Sequence, residues 1–318
     1  MNLFPPESGF LIIDKPEGIT SHDVVLAVRR HLRIRKVGHL GTLDPMATGV
    51  LPIALGKATR LIEFLKEGPK VYEGTIRLGF STDTYDKEGQ PTSERIVPQA
   101  TQEELNRLAV EMSGEQWQVP PSFSAKKIQG VPAYRLARKG IGVEIAPQRV
   151  QIHQLAFDLQ GSDAVEFAVS CSAGTYVRSL AHDLGAKLGC GAHLSRLRRI
   201  ASGEFSDCQT ISLADFRRLS PIELSGHMIG LSKVLSHWPI VLADAAVEQA
   251  LSMGRDFSVQ LPEQGHREAK CLIRILSTDG RLLGLAEAAA VQERADRVSR
   301  PGDFWVHPVV VLVASKSN

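Results

Sequence analysis

The chain has 318 residues, 43% of them hydrophobic, with 4 cysteines and a formal net charge of +2. That length and apolar share support a buried core and two units, while glycine and proline are too sparse for a fibre or a disordered chain. No run approaches eighteen apolar residues, MNLFPPESGF lacks a basic region followed by an apolar stretch, and no two cysteines form a CxxC pair. A membrane span, a secretory signal and a disulfide framework are therefore not expected.

GFLIIDKP reads as a short buried strand halted at Lys15-Pro16. In GITSHDVVLAVRRHLR, Thr20 or Ser21 can cap a helix whose Val24, Val25, Val28 and Leu32 recur at helical spacing. The glycine-rich run KVGHLGTLDPMATGVLPIALG follows, with one acid, Asp44, and a strand-like end, VLPIAL. GKATRLIEFLKEG reads as a helix ending at Gly68. KVYEGTIRLGF alternates like a strand, with Tyr72, Gly74, Ile76 and Leu78 on one face. STDTYDKEGQP is a polar loop, and TQEELNRLAVEMSG opens with a Thr101-x-x-Glu104 capping box.

VPPSFSAKKIQGVPAYRLARKG is irregular and basic, with helical turns at Ala133–Arg138. Two strands are expected near Val150–Leu159 and Val165–Ser172. GTYVRSLAHDLGAKLG reads as a helix with Thr175 as N-cap, which puts Tyr176 and Arg178 in its first turn. AHLSRLRRIASGEF is a short segment passing into a final helix, SLADFRRL. Beyond about Leu235 come one helix, DAAVEQALSMG, and the strands CLIRILS, RLLGLAEAA and VHPVVVLV, with Asp279-Gly280 as a hairpin signal. The expected class is α+β, a mixed, mainly antiparallel sheet with flanking helices over residues 1–235 and a small β-rich domain over 236–318.

Charge is clustered rather than large. Between Lys126 and Arg149 stand Lys126, Lys127, Arg135, Arg138, Lys139 and Arg149 against one acid, Glu144. Arg29–Lys36 and Arg196–Arg199 form two further basic clusters. One such cluster is a solvated face; three favour a polyanionic partner. GVLPIALGKAT fails as a phosphate loop, because six residues separate Gly49 from Gly56 and Ala58 stands where a hydroxyl is needed. No GxGxxG, GxSxG or HExxH pattern occurs, and His182, Cys190 and His193 are better read as surface and core residues than as metal ligands. No cofactor and no metal are expected.

Asp44 stands among Gly41, Thr42, Pro45, Ala47, Thr48 and Gly49, residues that let a ligand approach closely. Asp-Pro by itself is a turn signal. Arg178, at the start of a helix, could hold a carboxylate through two parallel hydrogen bonds, as a nucleophile or base needs. Tyr72 and Tyr176 are flat, with a polar tip, and suit stacking on a base.

Six stretches in order, GHLGTLDPMATGVLPIALGKATR, KVYEG, STDTYDKEG, PPSFSAKKIQGVPAYRLARKG, GTYVRSLAHDLG and GAHLSRLRR, closely resemble the TruB family of tRNA pseudouridine synthases. DKPEGITSHDVV fits as well, so the resemblance spans about Gly9 to Phe205. It implies isomerisation of uridine 55 in the TΨC arm of tRNA. Asp44 then matches the catalytic aspartate, Tyr72 the aromatic packed on the flipped uracil, and Arg178 the arginine paired with the aspartate. His39 matches the histidine that helps displace the target, and Asp86 the acid that shares the arginine before substrate enters. Tyr176 and Leu197 match pocket walls. The segment near 120–147, with Lys126 and Lys127, resembles a thumb that orders on RNA. The family fold is a mixed, mainly antiparallel sheet, and bacterial members usually end in a small PUA-type RNA-binding module. With no signal, membrane span or dimerisation stripe read in the sequence, a cytoplasmic monomer is expected. Which atom Asp44 attacks (C1′, C6 or the 2′ proton) stays open. Two rivals are disfavoured: a non-catalytic RNA-binding or tRNA-folding protein, which needs no Asp44, Tyr72 and Arg178 together, and a nucleotide hydrolase built on the glycine-rich run, whose phosphate-loop spacing is broken.

Overall fold

The computed structural model describes residues 8–124, 126–128, 130–137, 141, 145–260, 270–290 and 303–313. Strand β1 (Gly9–Lys15) is almost wholly buried. Helix α1 (Ser21–Leu32) starts at Thr20, whose hydroxyl accepts from the Asp23 N–H while the Asp23 carboxylate accepts from the Thr20 N–H. Both halves of a capping box are thus made, and Val24, Val25, Val28 and Leu32 face the core. Strands β2 (Val37–His39) and β3 (Thr48–Leu55) flank the Asp44 loop and pair antiparallel.

GKATRLIEFLKEG is not one helix to Gly68. A 3-10 turn covers Gly56–Leu61, and α2 (Ile62–Leu65) is a single turn. Gly56 has φ +58°, and the Lys70 amine takes the carbonyls of Lys66 and Gly68 at 2.8 and 2.6 Å. The helix stops ahead of Gly68-Pro69, where proline disfavours helical backbone at the preceding residue and brings no N–H. Strand β4 (Lys70–Leu78) alternates as expected, burying Tyr72, Gly74, Ile76 and Leu78. Helix α3 (Gln102–Glu111) forms only half its capping box: Thr101 accepts from the Glu104 N–H, while the Glu104 carboxylate lies 3.6 Å from Arg107.

An edge strand that the sequence did not announce, β5 (Gly114–Gln118), comes next. The basic segment holds a small hairpin, β6 (Lys127–Ile128) with β7 (Val131–Pro132), and one helical turn, α4 (Ala133–Ala137). The Lys127 side chain and Arg138, Lys139 and Glu144 lie outside the described residues. Strands β8 (Gln148–Gln160) and β9 (Ala164–Cys171) precede helix α5 (Val177–Lys187). AHLSRLRRIASGEF is no short connector: it forms the eleven-residue central strand β10 (Ala192–Ser202) and β11 (Phe205–Ser206). Its arginines disguise the strand period, and register shifts at Leu194/Arg196 and Arg199/Ala201 break it further. Strand β12 (Ile211–Ser212) leads into helices α6 (Leu213–Arg218) and α7 (Pro221–Ser225).

The sheet order is β12-β1-β3-β10-β4-β9-β8-β5. Along this path every pairing is antiparallel except β12 with β1 and β3 with β10, so the expected mixed, mainly antiparallel sheet is observed. One core joins it to the apolar faces of α1, α3, α5 and α6. The PUA-like unit comprises β13 (Ile240–Leu242), α8 (Ala245–Ser252), β14 (Phe257–Gln260), β15 (Lys270–Leu276), β16 (Leu282–Ala290) and β17 (Asp303–Val311). Its strands run in the order β13-β15-β16-β17-β14, and β15 turns into β16 at Asp279-Gly280. The two units share apolar contacts, with Leu282, Leu285, Val310 and Leu312 in one cluster with Phe10, Ile12 and Leu65. Among the described residues, no helix is long and apolar enough to cross a membrane.

Candidate active site

Asp44 is both things its sequence allowed. It opens a turn, with the Ala47 N–H donating to the Asp44 carbonyl at 3.0 Å, and it also faces a cavity of about 480 Å³. The loop is fastened on each side of it. The Ser21 hydroxyl accepts from the Leu43 N–H at 2.8 Å. The Pro45 carbonyl accepts from the Gly18 N–H at 2.9 Å and from the Lys15 amine at 3.2 Å. Lys15 also donates to the Pro16 and Ile19 carbonyls; burial, against the nearby Asp44 charge, lowers its pKa to about 8.

Arg178 meets Asp44 with a two-pronged fork. Its Nε lies 2.8 Å from Asp44 Oδ2, and its Nη2 donates to Asp44 Oδ1 at 3.2 Å. The same Nη2 reaches the Phe123 carbonyl at 3.1 Å; Nη1 reaches the Thr84 carbonyl at 3.2 Å and stands 3.6 Å from the Asp86 carboxylate. Arg178 and Asp86 are buried, while the Asp44 side chain keeps 36% of its exposure. The arrangement therefore presents one accessible carboxylate over an immobilised cation. Helix α5 begins one residue later than Thr175 predicts: Tyr176 is the N-cap, with no side-chain cap bond. The Gln118 side chain takes over, accepting from the Tyr176 N–H at 2.8 Å and donating to its carbonyl at 3.0 Å.

Tyr72, Tyr176, Leu197 and His39 line the same cavity as Asp44 and Arg178. Burial raises the Tyr72 pKa, partly opposed by the neighbouring Arg199, so the phenol is protonated at neutral pH. Burial, then Arg199, lowers the pKa of His39 and favours the uncharged ring. Asp86 stands behind Arg178 and is held by the Thr84 hydroxyl at 2.6 Å and the Glu88 N–H at 3.0 Å. Lys126 is at the base of the basic segment, donating to the Ala146 carbonyl at 3.0 Å and the Gln148 side chain at 3.4 Å. It is not among the cavity's lining residues, and Lys127 is beyond the side chains described.

Sequence reasoning missed basic residues of this cavity, among them Arg199 and Lys70. Arg199, read as part of a surface cluster, is 1% exposed and donates to the Val50 and Gly41 carbonyls at 2.8 and 3.1 Å. Lys70 also lines the cavity, and burial and Arg199 lower its pKa to about 8. Strand period could have found both, since Arg199 follows Leu197 by two on β10 and Lys70 precedes Tyr72 by two on β4. Among the described residues no group of three or more His, Cys, Asp or Glu could hold a metal ion. His182 and His193 instead stack on Tyr85 and pack on Phe80.

The model of the TruB family pseudouridylate synthase N-terminal domain matches residues 29–177, and that of the tRNA pseudouridylate synthase B C-terminal domain matches residues 178–231. A tRNA pseudouridine synthase B from Solibacter usitatus is 43% identical over 280 residues, covering 88% of this chain and 95% of that protein. Its counterpart from Geobacter sulfurreducens is 46% identical over 234 residues, covering 72% and 76%. Among solved structures, a chain of a Cbf5-Nop10-Gar1 complex superposes with a TM-score of 0.73 at 27% identity, covering 98% of this chain and 90% of that one. A chain of an H/ACA RNP bound to a substrate RNA containing 2'-deoxyuridine gives 0.70 at 26%, covering 97% and 86%. The family models stop at residue 231, before the PUA-like sheet, whereas the structural matches extend over it. Two adjoining family models and relatives more than 40% identical over 88% and 72% of the chain give one answer: this chain belongs to the TruB family of pseudouridylate synthases.

Proposed function

We propose that this protein converts uridine 55 in the TΨC arm of tRNA to pseudouridine, with Asp44 as the catalytic carboxylate. The observation that carries the reading is the Arg178 fork on Asp44 at the wall of a cavity that also contains Tyr72. The reaction breaks the N1–C1′ bond, turns the base and forms a C5–C1′ bond; the C5 proton leaves and N1 gains one, so the product is an isomer. Asp44 acts on the nucleoside as nucleophile or base, and Arg178 keeps its two oxygens in a fixed plane. Tyr72, protonated, packs on the uracil and can donate a hydrogen bond rather than act as a phenolate. Leu197 and Tyr176 wall the cavity, so that a detached uracil is retained while it turns.

The target base starts inside a folded loop and has to be turned out, at a cost of a few kcal/mol recovered from stacking and phosphate contacts. His39 assists that displacement, and Asp86 balances Arg178 before the nucleotide enters. Lys126 and Lys127 contact RNA phosphates from the thumb near residues 120–147. We take residues 1–235 as the catalytic unit and 236–318 as the PUA-like RNA-binding unit of a cytoplasmic enzyme. The direct test is incubation of the purified protein with an unmodified tRNA transcript, without added metal or ATP, followed by pseudouridine mapping. Conversion at position 55 alone is expected; a transcript left unmodified would overturn the reading.

A further inference from the structure

The loop carrying Asp86 contains one of the few non-glycine residues with positive φ. Tyr85 has φ +63°, in the left-handed region that a tyrosine enters only at a cost. Something must hold it there. On one side β10 does: the Leu194 N–H donates to the Tyr85 carbonyl, and the Lys87 N–H to the Leu194 carbonyl, each at 2.9 Å. On the other side stands α5. The Tyr85 and His182 rings are stacked, with centroids 3.9 Å apart and planes 11° from parallel. His182 follows Arg178 by four residues, so both project from one face of α5 toward the same short loop. Arg178 takes the Thr84 carbonyl and faces Asp86; His182 takes the ring between them.

His182 Nδ1 is shielded from solvent and has no hydrogen-bond partner among the described residues. That atom does not fix the ring, so the stack does. Without it, the loop would keep its β10 pairing while its α5 side hung on Arg178 alone, and Thr84 and Asp86 could turn away from the guanidinium.

We infer that the Tyr85–His182 stack is a positioning clamp: it holds the Thr84–Asp86 loop against α5 and thereby keeps the Arg178 fork in register with Asp44. Neither ring touches the proposed nucleotide cavity, so both residues act through Arg178. The inference rests on the proposed pairing of Arg178 with a catalytic Asp44.

Three substitutions test it, each read by single-turnover rate on a tRNA transcript, tRNA affinity and melting temperature. Glycine accepts the left-handed backbone at little cost, so Tyr85→Gly removes the ring without imposing strain. A rate loss of about ten- to hundredfold is expected for Tyr85→Gly and His182→Ala, the penalty of a small misplacement of reacting groups. Affinity for tRNA is expected to stay at the wild-type value, and the rate losses are not expected to track melting temperature. His182→Phe, which keeps a flat ring, is expected to restore the rate. Rates within about twofold of wild type in Tyr85→Gly and His182→Ala would overturn the clamp. So would a slow His182→Phe, or losses that follow melting temperature; if His182→Ala does not fold, Tyr85→Gly and His182→Phe decide. An active wild type alongside an equally fast Arg178→Ala would overturn the Arg178 assignment itself.

Discussion

Arg178 serves both oxygens of Asp44, the Thr84 and Phe123 carbonyls and the Asp86 carboxylate at once. A planar fork can do this; an ammonium cannot. Arg178→Lys is therefore expected to lower the pseudouridylation rate by about a hundredfold or more, with tRNA affinity little changed. Near-normal turnover would show that the fork does not orient Asp44. Lys70 makes a different prediction. Burial lowers its pKa to about 8 in the folded protein, against 10.5 for a lysine in water. Between those values the unfolded chain binds more protons, so the Lys70 contribution makes stability rise with pH. The full rise is about 3 kcal/mol at 1.36 kcal/mol per pKa unit. In Lys70→Met, unfolding free energy measured by urea denaturation at pH 7.5 and pH 10 is expected to rise less than in wild type; an identical rise would remove Lys70 as its source.

At the scale of elements, the Asp44 loop depends on where β3 meets β10. Gly49 has φ +100°, and a Cβ there would run into the Arg199 backbone, the residue it pairs with in the parallel ladder. Gly49→Ala is expected to cost about 2–4 kcal/mol in urea denaturation, from the strained backbone and the displaced strand. A loss below about 0.5 kcal/mol would mean the ladder yields easily there. Elements with local signals were legible in the sequence: α1 through its cap and periodic valines, β4 through alternation, β15 and β16 through Asp279-Gly280. Those decided by distant partners were not. The start of α5 is set by Gln118, 58 residues earlier. The strand character of β10 is hidden because Arg199 faces inward, where its charge finds carbonyls. Asp44, Arg178 and Tyr72 could be singled out as candidates from sequence motifs, whereas the basic floor of their cavity is marked in the sequence only by strand spacing, with Arg199 two residues from Leu197 and Lys70 two from Tyr72.

At the scale of the molecule, the chain that connects the two sheets is held by a buried cation. Arg274 on β15 is 4% exposed and donates to the carbonyls of Ser232, Val234, Ser236 and Trp238, which carry the chain from one unit to the other. Removing the guanidinium would leave several of these carbonyls unpaired, each costing about 1–3 kcal/mol where water cannot replace the donor. Arg274→Met is expected to speed limited proteolysis within 232–238 and to weaken tRNA binding, while catalysis on a saturating substrate stays near wild type. Unchanged proteolysis would assign the junction to the shared apolar cluster and to the bonds that Lys57 and Arg60 make to the Leu312 and Val311 carbonyls.

All these scales converge on a carboxylate that is held but not buried. Asp44→Asn tests that directly, because Arg178 keeps the Thr84 and Phe123 carbonyls and Asp86, so the helix and its loop should stay in place. The measurement is pseudouridine mapping on a tRNA transcript at saturating enzyme, with tRNA affinity measured in parallel. The expected result is no detectable pseudouridine with affinity close to wild type; conversion at a rate near wild type by a pure preparation would contradict the assignment of Asp44 as the catalytic residue.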